Sequence, residues 1–556
     1  MATAVDGRLR ASLHTFRQVF RNPNLRRIEL GWAGSITGEW SYAVALGVFA
    51  YERGGPAAVG IVGLIRFAPS ALAAPFTSLF GDRYRRERVM LATDLTRATG
   101  VGAAAAAILL GGPPVLVYGL AGLVQVISTA FRPAQAALLP SLAETPEELT
   151  AANVVSSSIE SIGTFGGPAL GGILLAFTST GVVFIATAGL FLWSAFNVLR
   201  IRTEAPTDAG IRAEASVAAE ALAGFRAVIT ERNLRLLIGL YAAQTLVAGA
   251  LNVLIVVSAL RLLHIGRSGV GFLNSAIGVG GLLGGIAALG LVGRKRLASD
   301  FRLGLIFWGL PIALIGVWPS EVTALIFLGV VGIGNTFVDV SGLTLLQRAV
   351  NDDVLARVFG VLQSLLLGTI AIGAIVAPAL VSGLGVRGAL ILVGMFLPAL
   401  SILAWRRLSL LDTDVVVPER QLALLRAIPI FAPLAATTLE QLAVKLAPAT
   451  FAAGETIFRQ GDPGDRFYVV DQGEVEIVVD DRQPIPHGPG SYFGEIALLR
   501  DVPRTATVRA RTNVELYALD RDEFIAAVTG HSPSRRAADA VIGERLAAFR
   551  TGVASV

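Results

Sequence analysis

The chain has 556 residues, of which 54% are hydrophobic and only 16% are charged, and its mean hydropathy is +0.66. Soluble proteins carry about 25% charged residues, so this composition excludes an ordinary soluble enzyme and a disordered chain. The absence of cysteine excludes disulfides and thiolate sites, and the four scattered histidines do not suggest a metal site. The net charge of +5 comes almost wholly from arginines that lie between apolar runs. We therefore predict a protein that is not an enzyme and has no nucleic-acid partner.

The first segment, residues 1–26, is predicted to be a cytoplasmic leader. Leu9, Leu13, Phe16 and Phe20 share one helical face, which is typical of a helix lying in the membrane interface. A leader without fixed structure explains the same residues equally well.

Residues 27–410 are predicted to form a helical membrane domain. About twelve apolar runs follow one another between residues 28 and 405, and each is long enough to cross a bilayer core of about 30 Å. Arginines are concentrated in alternate breaks between the runs, as in the segment "GDRYRRERV" after the second run. By the positive-inside rule, both termini face the cytoplasm of a multi-pass protein in the inner membrane, with the lipid bilayer as its partner.

Two parts of the membrane domain resemble each other. The segment that begins "LLPSLAETPEEL" and the later segment that begins "LLQRAVNDDVLA" share a polar start, an apolar span and a Gly-to-Pro ending. Two similar six-helix halves imply a site for a small-molecule substrate at their interface, near the middle of the bilayer.

The number of spans and the loop after the second resemble the major facilitator superfamily, and "GGPALGG" resembles its drug and siderophore exporters. Asp82, Arg83 and Arg86 match the loop signature of that family, whereas Ser78, Arg85 and Glu87 depart from it. The resemblance implies that Asp82, Arg83 and Arg86 form a conformational gate, in which ion pairs hold one of two arrangements closed. A simple positive-inside anchor is the alternative for the arginines.

Several ionisable residues lie within apolar runs, where they are costly and therefore candidates for function. They are Glu39, Arg66, Asp94 with Arg97, Glu160 and Asp339. Carboxylates in such places can load and release protons, so these residues are predicted to couple proton and substrate movement. A structural ion pair, such as Glu39 with Arg66, is the alternative.

Glycines are spaced for close packing of the helices. Gly163, Gly167 and Gly171 recur every four residues, and Gly281 and Gly285 repeat that spacing. We predict close helix contacts at both sets.

Residues 411–423 are predicted to be a linker, and residues 424–556 a soluble domain with a C-terminal helix. Glycines separate short alternating segments such as "RFYVV" and "EVEIVV", a pattern typical of a small β-barrel or jelly roll with flanking helices. The segment "FGEIALLRDVPRTATV" carries the chemistry of this domain. Arg504 can engage two phosphate oxygens, and Glu495 can accept a hydrogen bond from a sugar hydroxyl.

This segment closely resembles the phosphate-binding cassette of cyclic nucleotide-binding domains. The resemblance implies that Glu495 contacts the ribose 2′-hydroxyl, that Arg504 binds the cyclic phosphate, and that the amides of Gly494, Ala497 and Ala506 complete the site. Ile496 replaces the usual leucine, and Thr505 can bond a guanine amino group. The ligand is cAMP or cGMP, with a slight preference for cGMP; an emptied module is the alternative.

Together these features predict a secondary active exporter of a small amphipathic compound, coupled to protons and modulated by a cytoplasmic cyclic nucleotide. A membrane tether or receptor that does not transport is the rival function. A nucleotide-gated channel is disfavoured because the sequence has no pore loop of the usual kind. The last helix can fold over the base as a lid, with Val541, Leu546 or Phe549 as its apolar cap; a surface helix explains the segment equally well.

Overall fold

A computed structural model describes residues 19–83, 85–201, 226, 230–288, 297–349, 352–413, 419–434, 436–480, 484–529 and 532–551. The chain divides into two compact units, Met1–Thr413 and Asp414–Val556. The first unit is helical and the second combines β-sheets with helices, as the sequence predicts.

The first unit is built from long helices. They are α1 (Pro23–Arg83), α2 (Arg86–Leu109), α3 (Pro114–Ser128), α4 (Phe131–Leu142), α5 (Pro146–Phe177), α6 (Thr180–Leu199), α7 (Arg232–Val257), α8 (Gly266–Ala288), α9 (Leu297–Val317), α10 (Glu321–Ala349), α11 (Asp352–Leu403) and α12 (Trp405–Thr413). A π-helical turn, Ser258–Leu262, extends α7.

Within the described residues, nine helical stretches are long and apolar enough to cross a membrane. Two of them, of 52 and 45 residues, are too long for one pass, because 20 residues of helix span about 30 Å. Each is interrupted at glycine: Gly55 in α1 has φ of 62° and Gly385 in α11 has φ of 69°. Large apolar side chains such as Leu110, 86% exposed, cover the surface, as lipid contact requires. The chain is therefore a multi-pass membrane protein.

The glycines of α5 pack against α1. A Cβ atom at Gly163 would lie 2.5 Å from Ile36, and one at Gly167 would lie 2.6 Å from Trp40, so the predicted close contacts are confirmed there. The prediction for α8 is wrong. A Cβ atom at Gly285 meets nothing within 4 Å, whereas one at Gly280 would lie 1.8 Å from the carbonyl oxygen of Gly329 in α10. The predicted spacing of the glycines was right, but the glycines that pack against α10 lie one residue before the predicted positions.

The helices before and after residue 230 also approach each other closely. We call α1–α6 the first helix group and α7–α11 the second. Gly172 in α5 faces Gly271 in α8, where a Cβ atom on Gly271 would lie 2.5 Å from the Cα atom of Gly172. A Cβ atom at Gly63 in α1 would lie 2.6 Å from Ala374 in α11. The absence of side chains at these glycines therefore lets two pairs of backbones come together across the interface between the groups.

The second unit begins with two helices, α13 (Glu419–Ala427) and α14 (Ala436–Lys445). Its strands are β1 (Ala447–Phe451), β2 (Thr456–Phe458), β3 (Arg466–Gln472), β4 (Val475–Val478), β5 (Ile485–His487), β6 (Tyr492–Phe493), β7 (Thr507–Ala510) and β8 (Val514–Asp520). The remaining helices are α15 (Glu495–Arg500), α16 (Arg521–Thr529) and α17 (Ser532–Thr551).

The strands form two four-stranded sheets, ordered β1-β8-β3-β6 and β2-β7-β4-β5, and every pairing is antiparallel. Strand β3 alternates between two cores because successive side chains point to opposite faces. Phe467 and Val469 pack with the helices, whereas Tyr468 and Val470 pack between the sheets. Side chains of β3 therefore contribute both to the core with the helices and to the core between the sheets.

Replacing Gly271 by valine tests the contact between the helix groups. The new side chain meets the backbone of Gly172 and the carbonyl oxygen of Pro168, so a helix must move, at a cost of about 1–3 kcal/mol. We expect Gly271→Val to lower the thermal unfolding temperature of the full chain in detergent. Gly285→Val, on the same helix with open space around it, is the control. Equal melting temperatures for the two variants would contradict the assigned packing.

Candidate functional site

The residues predicted to bind a cyclic nucleotide surround one hollow in the second unit. Its lining includes all seven of them: Gly494, Glu495, Ile496, Ala497, Arg504, Thr505 and Ala506. Phe458, Ile477, Phe493, Val508 and Arg545 complete the wall. The hollow contains about 380 Å³ of empty space, which includes the solvent at its open mouth.

Gly494 joins β6 to the short helix α15 and has φ of 94°, a left-handed conformation that favours glycine. A Cβ atom at this position would lie 2.6 Å from Nη1 of Arg504. The glycine therefore allows both the turn into α15 and the close approach of the arginine.

The guanidinium of Arg504 is fixed deep in the wall. Its side chain is 1% exposed; Nη2 donates to Oδ1 of Asp465 at 2.9 Å and to the carbonyl oxygen of Arg466 at 2.8 Å. Nη1 donates to the carbonyl oxygen of Gly494 at 3.2 Å, and the group lies 4.2 Å from the centre of the Phe458 ring. The Nε atom has no hydrogen-bond partner among the described residues. Arg504 therefore has a fixed orientation and an unused donor.

Glu495 is equally buried, with 1% of its side chain exposed. Its Oε1 atom accepts a hydrogen bond of 2.7 Å from Nη1 of Arg545 in α17, and the same nitrogen donates to the carbonyl oxygen of Tyr492. Its Oε2 atom has no partner among the described residues. The carboxylate is thus held on one side and unsatisfied on the other.

These two orphaned atoms provide a test of whether a cyclic nucleotide fits. Buried polar atoms without partners are rare because each costs about 1–3 kcal/mol. The hollow is lined by one residue with a spare acceptor, Glu495, and one with a spare donor, Arg504. A ribose hydroxyl supplies a donor and a phosphodiester supplies acceptors, so the residues present fit this group of ligands.

Arg545 is the functional residue that sequence reasoning missed. The sequence indicated an apolar lid from Val541, Leu546 or Phe549, but Val541 packs on the core formed with the helices, and the side chains of the other two lie outside the described residues. Arg545 also lies 4.4 Å from the centre of the Tyr492 ring. Burial lowers the pKa of His487, and Arg545 lowers it further, so the imidazole is neutral near pH 7. The signal in the sequence that pointed to a residue such as Arg545 was the requirement of a buried glutamate for a cation nearby.

In the membrane unit, the predicted coupling residues Glu39 and Asp94 share one arginine. Arg97 is 1% exposed, and its Nη2 atom lies 3.2 Å from Oε2 of Glu39 while its Nη1 atom lies 3.5 Å from Oδ1 of Asp94. Ser35 accepts a further hydrogen bond from Arg97 at 2.8 Å, and the Phe191 ring lies 3.9 Å from the guanidinium. Three ionisable groups from α1 and α2 therefore form one network.

Arg66 is not the ion-pair partner of Glu39, contrary to the structural alternative offered by the sequence. Its Nε and Nη2 atoms donate to Oε1 of Gln125 at 3.1 and 2.6 Å, and Glu39 acts on it only through longer-range electrostatics. Glu160 in α5 forms a bidentate ion pair with Arg132 in α4. The countercharges of Glu39 and Glu160 therefore come from arginines on neighbouring helices, and no spacing rule in the sequence predicts these pairs.

Asp339 in α10 has a different environment from the other four predicted coupling residues, which are Glu39, Arg66, Asp94 and Glu160. Its Oδ2 atom accepts a hydrogen bond of 2.8 Å from Nδ2 of Asn335, one helical turn earlier. Among the described residues, it takes part in no ion pair. Glu160 lies close enough to act on it electrostatically, although the two residues belong to different helix groups.

The predicted gate is described only in part. Arg86, at the start of α2, donates from Nη1 to the carbonyl oxygen of Ala137 in α4 at 2.7 Å. This contact stays within the first helix group. The side chains of Asp82 and Arg83 lie outside the described residues.

Two family models match the chain. The model of the Major Facilitator Superfamily matches residues 30–366, and that of the cyclic nucleotide-binding domain matches residues 448–531. These matches confirm both resemblances drawn from the sequence.

The three similar proteins named here each cover about a quarter of this chain. A cAMP-dependent protein kinase regulatory subunit of Emericella nidulans is 38% identical over 128 residues, which is 23% of this chain and 31% of the relative. The chain thus spans less than a third of that relative's length. A regulatory domain of Toxoplasma gondii PKA solved with cAMP is 26% identical, with a TM-score of 0.20, over 23% of this chain and 50% of that one. The N-terminal domain of a Streptomyces coelicolor transcriptional regulator is 32% identical, with a TM-score of 0.20. The match covers 24% of this chain and 99% of that domain's chain.

Removing the guanidinium tests the phosphate site. Charge-assisted hydrogen bonds contribute about 1.5–3 kcal/mol each, so Arg504→Ala is expected to weaken nucleotide binding about 100-fold or more. Calorimetric titration of the full chain in detergent with cAMP and with cGMP measures the change. Arg511→Ala removes an exposed arginine paired with exposed Glu474 and is the matched control. Unchanged affinity in Arg504→Ala would remove the assignment.

A mutant cycle tests the contact between Arg545 and Glu495. Arg545→Gln leaves a buried carboxylate without its cation, which we expect to cost about 2 kcal/mol, less than for a fully buried pair. This corresponds to about 30-fold faster hydrogen exchange by local opening in α15 and α17.

The double variant Glu495→Gln/Arg545→Gln has no uncompensated charge and should exchange more slowly than Arg545→Gln alone. Exchange measured by mass spectrometry on the full chain gives the comparison. An additive loss in the double variant would mean that the two side chains do not depend on each other.

Proposed function

The chain belongs to the Major Facilitator Superfamily, and we propose that its membrane unit is a secondary active exporter of a small amphipathic compound. Counting two passes each for α1 and α11, and one for α3 with α4, gives twelve passes in two halves that correspond to the two helix groups. The family supports a transporter. Neither matched family is an enzyme family, which supports a protein without catalytic activity.

The observation that carries this proposal is the pair of carboxylates at the interface of the helix groups. Glu160 and Asp339 come from different groups, and the carboxylate of Glu160 acts electrostatically on Asp339. Close backbone contacts such as Gly172 with Gly271 close part of the same interface. A transporter that alternates between two states needs a polar site where its halves meet, and these residues supply one.

Proton coupling is the mechanism that these residues support. Glu39, Asp94 and Glu160 hold ion pairs with Arg97 and Arg132 that protonation would weaken. Loss of an ion pair between helices changes the relative free energy of the two arrangements, so proton binding would favour one of them. Arg66 belongs to the same set of coupling residues. Asp82, Arg83 and Arg86 form the conformational gate, in which ion pairs hold one of the two arrangements closed.

For the second unit, we propose that residues 424–556 bind a cyclic nucleotide in the hollow, with residues 411–423 as the linker. The arginine and glutamate of the cassette remain, and their unused atoms match a phosphate and a sugar hydroxyl. The similarity to a cAMP-dependent regulatory subunit supports cAMP, whereas Thr505 leaves cGMP open as a ligand. The basic breaks between spans support a cytoplasmic location for this unit and both termini, in the inner membrane.

Nucleotide binding is proposed to modulate transport through α13, which follows the linker, or through α17. Arg545 links α17 directly to the cassette residue Glu495. Complete switching from 1:99 to 99:1 requires the nucleotide to prefer one state by about 5.5 kcal/mol. We therefore expect partial modulation of the transport rate.

Reconstituted full-length protein tests the proposal. An imposed pH gradient across proteoliposomes should drive uptake of a transported compound, and cAMP or cGMP on the side of the second unit should change the rate severalfold. Arg504→Ala should keep the flux and lose the nucleotide effect. Intact nucleotide binding without gradient-driven flux of any compound in a panel of amphipathic dyes would favour the rival function, a tether or receptor.

A further inference from the structure

An arginine is stacked on a tryptophan at the end of the last membrane-crossing stretch. Trp405 begins α12 directly after that stretch, which ends at Leu403, and Arg302 lies near the start of α9. The Cζ atom of Arg302 is 3.4 Å from the centre of the Trp405 ring. Two helices of the membrane unit therefore bring these side chains together at one membrane face.

The position of this contact is fixed by its neighbours. Oγ of Ser401, one helical turn before Trp405, donates to the carbonyl oxygen of Arg302 at 3.4 Å. Leu408 of α12 is fully buried in the core of the membrane unit. The helix α12 thus packs against α9 and holds the indole against the arginine.

The stacking leaves the hydrogen-bonding edge of the guanidinium available. An edge-on approach would place an N–H group between Cζ and the ring, so a distance of 3.4 Å requires the guanidinium to lie flat on the indole. Its N–H donors then lie in a plane parallel to the ring and point away from it. Within the described part of the chain, the side chain of Arg302 makes no ion pair or hydrogen bond. This cation therefore retains a planar set of donors that suits a phosphate.

The next arginine also lacks a countercharge from the protein. Arg406, which follows the tryptophan, is exposed and takes part in no ion pair among the described residues. The residues three and four positions before and after it are apolar or a serine, so α12 offers it no helical ion pair. Asp300 is the carboxylate nearest to Arg302 in sequence, but it is buried, and residues two apart on a helix do not face each other.

The surface beside these two arginines is apolar. Ile402 and Leu403 are 66% and 80% exposed, as lipid contact requires. Trp405 is 49% exposed, and tryptophans are enriched where acyl chains meet headgroups. Cations at that level lie beside the phosphates of the bilayer and attract anionic lipids. The combination of free guanidinium donors with exposed apolar side chains therefore matches a phospholipid better than a soluble anion.

We propose that Arg302, Trp405 and Arg406 form a binding site for one anionic phospholipid in the leaflet at this end of the membrane unit. Its phosphate binds the guanidinium groups of the two arginines, and an acyl chain lies along Ile402 and Leu403. Phosphatidylcholine carries the same phosphate beside a trimethylammonium group, which two arginines repel. The site therefore selects lipids by their net charge. The inference goes beyond the proposed transport and nucleotide binding and requires neither.

Native mass spectrometry of the full chain in detergent tests the site. The probes are phosphatidylglycerol and phosphatidylcholine with the same acyl chains, and we expect the first phosphatidylglycerol to bind about tenfold more tightly. Arg406→Gln removes an exposed side chain without a partner, and it should lower the affinity for phosphatidylglycerol about tenfold without changing that for phosphatidylcholine. Arg302→Lys keeps the charge but loses the planar donors, and it should lower the affinity for phosphatidylglycerol about threefold or more.

Arg407→Gln is the matched control. It removes the same charge from an exposed position of the same helix. Because each residue of a helix turns by about 100°, Arg407 lies about 200° from Trp405, on the opposite face of α12. This variant should change the affinity for phosphatidylglycerol less than about twofold. Thermal unfolding in detergent without added lipid establishes that each variant is folded.

Three results overturn the inference. Equal affinities of the native chain for the two lipids would mean that no site selects by charge. Equal losses in Arg406→Gln and Arg407→Gln would mean that a diffuse positive surface, rather than a site on one face of α12, attracts the lipid. Displacement of phosphatidylglycerol by an equal concentration of glycerol phosphate would mean that the ligand is a soluble phosphate ester.

Discussion

The need to compensate buried charge is the constraint on which both units depend. Transfer of an isolated ion into an apolar interior costs several kcal/mol even after the surroundings relax. The membrane unit buries Asp94 and Arg97 to 0% and 1% exposure of their side chains, and the second unit buries a glutamate and an arginine to about 1% exposure. Each of these groups therefore requires a partner, either from the protein or from a ligand.

The partners are incomplete in both units, and this distinguishes the sites from ordinary structural ion pairs. Asp465 and Arg545 satisfy one side of Arg504 and Glu495 but leave Nε and Oε2 without partners in the described part of the chain. In the membrane unit, Asp339 is held by the neutral amide of Asn335 and takes part in no ion pair among the described residues. In the hollow of the second unit, the unused donor and acceptor match a phosphodiester with a sugar.

The sequence predicted those features of the structure that depend on residues close to one another in the chain. The seven cassette residues lie within a short segment that folds as strand, turn and helix, so their common position around one hollow followed from the motif. Helical periodicity likewise predicted that the glycines of α5 face α1. The partner of Glu495, fifty residues later on α17, could not be predicted because no spacing rule relates it to the cassette. For the same reason, the sequence did not predict that Arg97 rather than Arg66 pairs with Glu39.

The account's central claim is that the unsatisfied buried atoms of Glu495 and Arg504 are ligand-binding groups. The most direct measurement is an experimental structure of the full chain with cAMP or cGMP. The account predicts the cyclic phosphate against the guanidinium of Arg504 and the ribose 2′-hydroxyl on the carboxylate of Glu495. A nucleotide seated elsewhere, or a hollow filled by neighbouring side chains while the nucleotide is bound, would contradict it.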